Sequence, residues 1–290
     1  MLTMYKLLLT VLVCLSWFTG KSQSLPLDNT LLWKIEGKGI TRPSYLYGTI
    51  HLMCPADLQV SEGLKEKFNS TEELFLEIKT DDPAMMAEMM KSMAMKNNTT
   101  IKSLMPKPDF DSINSIFKKS TGLPLEMLNT AKPILVTAMI YPSLLGCTPD
   151  SWEKVFENLA KKRNMPLKGL EKLSDQMDAL EKIPYQQQAD MMVKLMYNLD
   201  SARLVFNNMV DVYKRKDLNA LYKLTTSDED FGAFESALLI TRNKNWIPVI
   251  EQQALQKPTF FACGAAHLAG ENGVIRLLQK AGYTVSPVLY

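Results

Sequence analysis

Gly48-Thr49-Ile50-His51 and Gly264-Ala265-Ala266-His267 are the two stretches that organise the fold of this chain. Each follows an apolar run typical of a strand, and the two histidines are the only ones in the 290 residues. Histidine is the side chain most often used to bind a transition metal or to transfer a proton near neutral pH. The repeated phrase therefore predicts one candidate site built from both ends of the chain.

Both phrases begin a similar succession of predicted elements. After His51 comes an amphipathic stretch at 61–69 and then an apolar run at 73–78. After His267 comes an amphipathic stretch at 273–281, which Gly282 should end because a left-handed residue commonly closes a helix; a strand-like run follows. In such strand-loop-helix-strand units the functional positions lie past the carboxyl end of the first strand, where both histidines fall.

Between the two units the chain is dominated by helical periodicity. Residues 83–255 are predicted to form a helical insertion, interrupted by a short strand at 166–171, while residues 31–47 predict a hairpin whose second strand leads to His51. The predicted fold class is mixed α/β. A sheet built from the N- and C-terminal strand-GxxH-helix-strand units is packed with helices from the middle of the chain.

The first 24 residues have the features of a secretory signal peptide, with Lys6 before the apolar stretch at 7–18 and small residues at 22–24. We therefore predict an exported protein, periplasmic or extracellular, that consists of one domain over residues 25–290. No later apolar run is long enough for a stable transmembrane segment. Because the predicted leader carries two of the 33 basic residues and none of the 31 acidic ones, the mature chain is balanced in charge, and no nucleic-acid surface is expected.

Three of the four cysteines lie beyond the predicted leader. Cys263 is inside an apolar run and is expected to be a buried thiol. Cys54 and Cys147 are expected to pair, because disulfides form in oxidising compartments outside the cytoplasm.

Glu77 interrupts the otherwise apolar run at 74–78, where an unpaired carboxylate would be costly to bury. If its strand runs parallel to the preceding one, Glu77 should emerge beside His51. A strand-end ion pair with Lys79 is the structural alternative.

Arg242 and Asn243 lie on the buried stripe of a predicted helix, between leucines and Trp246 at helical spacing. Polar groups in such places need partners inside the protein. Arg242 could hold a carboxylate or stabilise a developing oxyanion, with an ordinary interior salt bridge as the alternative. Glu171, at the end of the short strand, is likewise a polar residue that needs a partner inside the protein and is a candidate for the site.

Two imidazoles and one carboxylate suit a divalent transition metal and leave positions for water and substrate. His51, Glu77 and His267 are therefore the predicted metal ligands, and the ion is expected to be Mn, Co or Zn. Two neutral, hydrogen-bonded core histidines are the alternative. The methionine-rich stretch at 85–95 could offer soft copper ligands, but methionines at helical spacing more often form a packing face.

Five stretches in fixed order carry a resemblance to a known family: the GTIH unit, LFLEI at 74–78, KGLE at 168–171, TRNKNW at 241–246 and the FFACGAAHL ending at 260–268, followed by GVIRLLQKAGYTVSPV. With them the chain resembles the TraB/GumN family, which includes the Tiki metalloproteases. The resemblance implies a fold related to erythromycin esterase-like hydrolases, with both histidines facing one cleft. It makes Glu77 their acidic companion and places Glu171, Arg242 and Asn243 in the polar surround.

The sequence thus predicts an exported divalent-metal-dependent hydrolase, most simply a peptidase acting on a peptide or protein substrate. Its predicted catalytic residues are His51, Glu77, Glu171, Arg242 and His267, and its predicted substrate-binding residues are Gly48, Asn243 and Gly264. Two alternatives remain open. One is a metal-independent, esterase-like hydrolase that uses the same histidines as acid and base. The other is a non-catalytic exported binding protein that uses its methionine-rich helix as the contact surface.

Overall fold

The computed structural model describes residues 26–290, and the predicted signal peptide lies outside these residues. Within them, six strands form one sheet: β1 (Leu32–Glu36), β2 (Ser44–Thr49), β3 (Glu73–Leu76), β4 (Leu167–Gly169), β5 (Thr259–Gly264) and β6 (Thr284–Val288). The predicted hairpin is confirmed, since β1 pairs antiparallel with β2.

The helices of the described residues are concentrated between β3 and β5, as the periodicity predicted. They are α1 (Glu62–Asn69), α2 (Met85–Met93), α3 (Lys107–Thr121), α4 (Pro133–Ala138), α5 (Tyr141–Leu144), α6 (Trp152–Lys162), α7 (Leu173–Leu180), α8 (Tyr185–Tyr197), α9 (Leu199–Lys214), α10 (Leu218–Thr226), α11 (Glu229–Gly232), α12 (Thr241–Gln256) and α13 (Val274–Lys280). A π-helical turn, Ser236–Ile240, leads directly into α12. The predicted mixed α/β class is confirmed.

The strand order explains how the two ends of the chain meet. It is β4-β3-β5-β2-β1-β6. Strands β4, β3, β5 and β2 are parallel neighbours, whereas β1 runs antiparallel to both β2 and β6. The carboxyl ends of the four parallel strands therefore share one edge, which is the usual place for a binding site in such sheets.

The position of β5 corrects one detail of the sequence-based prediction. Glu77, which follows β3, was expected directly beside His51, which follows β2. In the structure β5 lies between these two strands and pairs with both. Glu77 is therefore an immediate neighbour of the β5 end, and His51 faces it from the far side of that strand.

Helix α6 is fixed to the sheet by an aromatic cluster. The ring of Phe156 lies 5.1 Å from Tyr47, 4.8 Å from Phe260 and 5.7 Å from Phe68, measured between ring centroids. Phe156 is fully buried, and burying one such side chain stabilises the fold by about 1.5–3 kcal/mol. Its packing places the first turn of α6 close to the carboxyl end of β2.

The predicted pairing of Cys54 with Cys147 is confirmed: the two form a disulfide. Beside it, Met53 and Asp150 exchange two backbone hydrogen bonds of 3.0 and 2.9 Å. Covalent and backbone links therefore join the loop after His51 to the loop before α6. Cys263 is buried with a free thiol, as expected.

Within residues 26–290 we find no helix that combines the length and the apolar character needed to cross a bilayer.

Candidate active site

The carboxyl ends of the four parallel strands deliver the predicted site residues to one edge of the sheet. His51 follows β2, Glu77 follows β3, Glu171 follows β4 and His267 lies in a short 3-10 turn after β5. The β3 and β4 backbones continue in register past the strands, since Glu171 N–H donates to the carbonyl of Glu77 at 2.9 Å. Neighbouring strand ends thus hold the two carboxylates close together.

Glu77 is 7 % exposed and is held from three directions. Its Oε1 accepts the backbone N–H of Gly264 at 2.7 Å, and its Oε2 accepts from Arg242 Nη2 at 2.6 Å and Gln176 Nε2 at 3.1 Å. Burial alone would raise the pKa of Glu77, but electrostatic interactions with His267, Arg242 and His51 and the Gly264 hydrogen bond lower it to about 2. Glu77 is therefore ionised throughout the neutral range.

The alternative pairing of Glu77 with Lys79 is wrong. Lys79 pairs with Asp81 at 3.6 Å instead, while the carboxylate of Glu77 turns into the protein to meet Arg242. The carboxylate is satisfied inside the protein, because a buried charge needs a close partner of opposite sign.

Arg242 is the centre of the ion-pair network, and all five of its N–H groups are used. Nε and Nη2 donate to Glu171 at 3.0 and 2.5 Å, and Nη2 also donates to Glu77. Nη1 donates to the carbonyl of Leu238 at 3.0 Å and to Nε2 of His267 at 3.1 Å. Leu238 belongs to the π-helical turn before α12. A planar guanidinium can bridge two carboxylates in this way, whereas an ammonium cannot.

His267 is 5 % exposed, and its proton position follows from its partners. The amide nitrogen of Asn243 donates to the carbonyls of His267 and Asn272 at 3.2 and 2.9 Å. The amide oxygen of Asn243, 2.6 Å from Nδ1 of His267, must therefore accept a hydrogen bond from an N–H at that nitrogen. His267 is the Nδ1–H tautomer, and its Nε2 accepts from Arg242.

The ring of His267 is neutral in this setting. Desolvation lowers its pKa to about 3, helped by the charges of Arg242 and His51 and opposed by Glu77. Trp246 packs over the ring with 4.5 Å between centroids and donates its indole N–H to Glu171 at 2.9 Å. These contacts hold one imidazole rigidly at the end of β5.

His51 contrasts with His267 in both exposure and charge. Its side chain is 66 % exposed, and its Nδ1 lies 3.0 Å from Oε1 of Glu153. Desolvation would lower the pKa of His51, but the hydrogen bond and charge of Glu153, with the charge of Glu77, raise it to about 9. At neutral pH the ring of His51 is therefore protonated, whereas the ring of His267 is neutral.

Gly264 marks the point where the predicted ligands meet. A methyl group on its Cα would lie 3.3 Å from Oε1 of Glu77, 3.6 Å from Cδ2 of His267 and 3.8 Å from Nε2 of His51. Glycine thus leaves open a small space bordered by two imidazoles and a carboxylate, and these donor types suit a divalent transition metal. Among residues 26–290, however, no group of three or more His, Cys, Asp or Glu side chains is arranged so that it could hold a metal ion without rearrangement. To bind an ion through Nε2, His267 would have to release Arg242.

The other predicted substrate-binding residues are buried. A methyl group at Gly48 would lie 3.2 Å from Cα and Cβ of Ala265, so the close approach of β2 to the turn after β5 accounts for glycine there. Asn243 is 2 % exposed and is occupied by the contacts that orient His267. Of the three predicted substrate-binding residues, Gly264 is the one that borders the open space.

The sequence did not single out Glu153 or Gln176. Both lie on amphipathic helices, α6 and α7, where a polar residue is normally a solvated one. Only the packing of these helices brings Glu153 to His51 and Gln176 to Glu77. No local spacing distinguishes them from the other polar residues of the same helices.

A cavity of about 490 Å³ adjoins Glu171. Ile78 and the Gly169 backbone form one side, and Met85 of the methionine-rich helix α2 forms part of the other. The exposed side chains of Met86 and Met90 lie on the same helix. Flexible thioether side chains can adapt to apolar groups of differing shape.

This fold and this site define a mixed α/β protein in which two GxxH histidines, a glutamate pair and an arginine share one sheet edge. The chain belongs to the TraB/PrgY/gumN family, whose model matches residues 31–287.

Curated relatives share low identity over most of the chain. A Nematostella vectensis protein named Metalloprotease TIKI homolog is 21% identical over 90% of this chain and 67% of its own length. The Danio rerio proteins named Metalloprotease TIKI1 and Metalloprotease TIKI2 are 20% and 19% identical, over 89% of this chain and 63% and 60% of their own lengths. The chain thus spans about three fifths to two thirds of these relatives. No solved structure is matched by the chain.

Gly264→Ala should reduce activity without harming the fold. The backbone of Gly264, at φ −50° and ψ 133°, suits alanine, so the free energy of unfolding should change by no more than about 1 kcal/mol. The added methyl group fills the space between Glu77 and His51, and displacing reacting groups by about 1 Å can cost up to about 100-fold in rate. On the hydrolase function proposed below, initial rates should fall at least tenfold, while urea denaturation should show little change in stability.

Gly146→Ala is the matched control, because a methyl group there meets nothing within 4 Å. It should leave both rate and stability unchanged. A Gly264→Ala protein with the wild-type rate would show that the reaction does not take place in this space.

Proposed function

We propose that the protein is a divalent-metal-dependent hydrolase that cleaves peptide bonds. The observation that carries the proposal is the convergence of His51, Glu77 and His267 on the open space above Gly264. Membership of the TraB/PrgY/gumN family and similarity to proteins named metalloproteases support it. His51, Glu77 and His267 would hold the ion, with Mn, Co and Zn as the candidates.

A divalent ion held there would act as a Lewis acid, polarising the scissile carbonyl and lowering the pKa of water. The protein's own groups would do the rest. Glu77, ionised and held by Gly264 and Gln176, offers a fixed carboxylate. His51 offers an exposed ring at the mouth of the site, bonded through Nδ1 to Glu153.

Of the two roles that the sequence offered for Arg242, holding a carboxylate and stabilising an oxyanion, we favour the first. Without metal, all five of its N–H groups have acceptors; an ion on Nε2 of His267 would free one of them and leave the bonds to Glu77, Glu171 and Leu238. We assign Arg242 to holding Glu77 and Glu171 in place.

The cavity beside Glu171 is the proposed place for the peptide on one side of the cleaved bond. Its wall carries Lys79, Lys172, Asp82 and Glu88 beside Met85. Apolar and charged groups of both signs suit a polypeptide better than a small uncharged ester. The disulfide between Cys54 and Cys147 supports the proposed export, since such bonds persist mainly outside the cytoplasm.

One observation favours a metal-independent hydrolase as the second candidate. Arg242 occupies Nε2 of His267, which leaves His51 with Glu153 as the more accessible acid–base pair. In this candidate the two histidines would act as general base and acid, with His51 taking a proton from the attacking water as the new C–O bond forms and a proton passing to the leaving group as its bond to the carbonyl carbon breaks.

Removing metal separates the two candidates. The purified chain should be incubated with EDTA, dialysed, and assayed on a peptide library with mass-spectrometric detection of cleavage. For a metal-dependent hydrolase we expect turnover to be lost and to return when Mn²⁺, Co²⁺ or Zn²⁺ is added. Full activity after exhaustive chelation would contradict the metal-dependent proposal and favour the second candidate. Absence of turnover with every ion would favour a non-catalytic binding protein.

A further inference from the structure

Glu153 has no place in the site that the sequence predicted, yet it contacts one of the two histidines. It lies in the first turn of α6, which begins after the N-cap Ser151, whose hydroxyl accepts the N–H of Lys154 at 3.1 Å. One turn further on, Phe156 anchors α6 to the sheet. The position of Glu153 is therefore set by the packing of the whole helix.

The hydrogen bonds of Glu153 are concentrated on one oxygen. Oε1 accepts the hydroxyl of Thr49 at 2.6 Å and lies 3.0 Å from Nδ1 of His51. Oε2 is buried and has no partner within the described residues. A buried carboxylate oxygen without a hydrogen bond is costly. The hydrogen bond from Thr49 does not by itself explain why a carboxylate is buried at this position. A neutral acceptor would satisfy the Thr49 hydroxyl equally well.

A disulfide and a pair of backbone hydrogen bonds join the segments that carry Glu153 and His51. Three residues after His51, Cys54 forms the disulfide with Cys147, and the Met53–Asp150 backbone pair lies beside it. These links hold the His51 loop against the start of α6 independently of the two side chains. The backbone thus positions the His51 imidazole beside the Glu153 carboxylate before the two side chains form their hydrogen bond.

The other histidine shows the same arrangement. Asn243 on α12 places an oxygen 2.6 Å from Nδ1 of His267, and Nε2 of that ring is turned toward the site, where it accepts from Arg242. Glu153 on α6 places an oxygen 3.0 Å from Nδ1 of His51, whose Nε2 faces Gly264. Each GxxH histidine therefore has an oxygen acceptor from a helix at the nitrogen that points away from the site.

We propose that Glu153 is a positioning residue that holds His51 in its Nδ1–H tautomer and so directs the Nε2 lone pair into the space above Gly264. An ionised carboxylate can only accept hydrogen bonds, so Nδ1 of the neutral ring must carry the proton. The inference rests on the proposed function for its use, because a ligand or base must offer Nε2 to that space. The tautomer itself can be measured whether or not the protein binds metal.

The experiment exploits the presence of only two histidines in the chain. Untagged protein labelled with ¹⁵N-histidine gives two sets of ring signals, which a His51→Ala sample assigns. Spectra are recorded without metal, at a pH where the rings are neutral, and again with zinc. In the wild type we expect His51 as the Nδ1–H form, and in the zinc-loaded protein we expect coordination through Nε2.

Glu153→Leu removes the acceptor while largely filling the volume. We expect the neutral His51 ring to shift toward the Nε2–H form and zinc affinity, measured by chelator competition, to fall about 10–100-fold. Glu157→Leu is the matched control: Glu157 lies one turn later on α6 with a side chain 19 % exposed against 18 % for Glu153. It pairs with Lys161 and Thr80 and should change neither quantity.

An unchanged His51 tautomer together with unchanged zinc affinity in Glu153→Leu would overturn the assignment. If that variant does not fold, Glu153→Ala removes the same acceptor with a smaller side chain and is judged by the same two readouts. Absence of zinc binding in the wild type would count against the metal-dependent function, while the metal-free tautomer comparison would still decide the role of Glu153.

Discussion

His51→Ala and His267→Ala are each expected to reduce peptide hydrolysis by about 10²–10⁴-fold, the range that a positioned acid–base group contributes. Both rings border the space above Gly264, and they have different partners and exposure, so neither can replace the other. Initial rates on a cleaved library peptide, measured at saturating metal, would test this. Gln59→Ala, an exposed residue of the loop that follows β2, is the control and should retain the wild-type rate.

Metal content measured on the same variants separates the two ways in which the histidines could act. If they are ligands, each alanine variant should lose most of its bound ion together with its activity. If they act only as acid and base, turnover should fall while metal content stays as in the wild type. Retention of both full metal content and full activity by the two variants would remove the histidines from the site altogether.

The two variants should differ in stability, because their environments differ. The side chain of His51 is largely exposed, so its removal should change the free energy of unfolding little. His267 is buried under Trp246 and bonded to Asn243, so its removal leaves a cavity and an unsatisfied amide. Activity should therefore be compared only at temperatures where His267→Ala is shown to be folded.

The sequence predicted the parts of the fold that depend on local pattern. The strand before each GxxH phrase, the hairpin before His51 and a short strand within 166–171 are confirmed, although that strand ends at Gly169, two residues before Glu171. Each rests on alternating or apolar runs and turn residues, which are properties of neighbouring positions. The order of strands is not such a property, and for that reason the insertion of β5 between β2 and β3 was not foreseen.

The site was predictable where a polar residue interrupts an apolar pattern. Glu77 and Arg242 stand out because burying them costs free energy unless they are paired, and the structure pairs them at 2.6 Å. Glu153 produces no such interruption, since it is one of several charged residues of an amphipathic helix. Its contact with His51 arises from tertiary packing, which a single sequence does not reveal.

Arg242→Met should be the most destabilising single substitution in the site. It removes the partner of two buried carboxylates, whose side chains are 9 % exposed for Glu77 and 5 % for Glu171. Breaking a buried ion pair from one side costs about 3–5 kcal/mol, because the remaining charge is left without compensation. Urea denaturation at pH 7 in the presence of EDTA would measure the loss without a contribution from bound metal.

Two further variants test whether Arg242→Met loses stability because a charge pair is broken or because packing is lost. Arg203→Met removes an arginine whose partner Asp200 is almost fully exposed, and it should change stability by less than about 0.5 kcal/mol. Adding Glu171→Gln to Arg242→Met removes one of the unpaired charges, so the double variant should be less destabilised than the sum of the two single changes. Simple additivity would show that Arg242 stabilises the protein by packing and not by charge.

The effect of Arg242→Met should also depend on pH in a defined direction. In the wild type the pKa of Glu77 is lowered to about 2 from an ordinary 4.5. Its ionisation therefore stabilises the fold above about pH 4.5, and that contribution disappears as the pH falls toward 2. Without Arg242, burial favours the protonated carboxyl, so acid should harm the variant less than the wild type. The difference in unfolding free energy should be largest near pH 7 and should shrink below pH 4.5; a difference that stays constant from pH 7 to pH 3 would mean that the guanidinium does not stabilise the ionised form of Glu77.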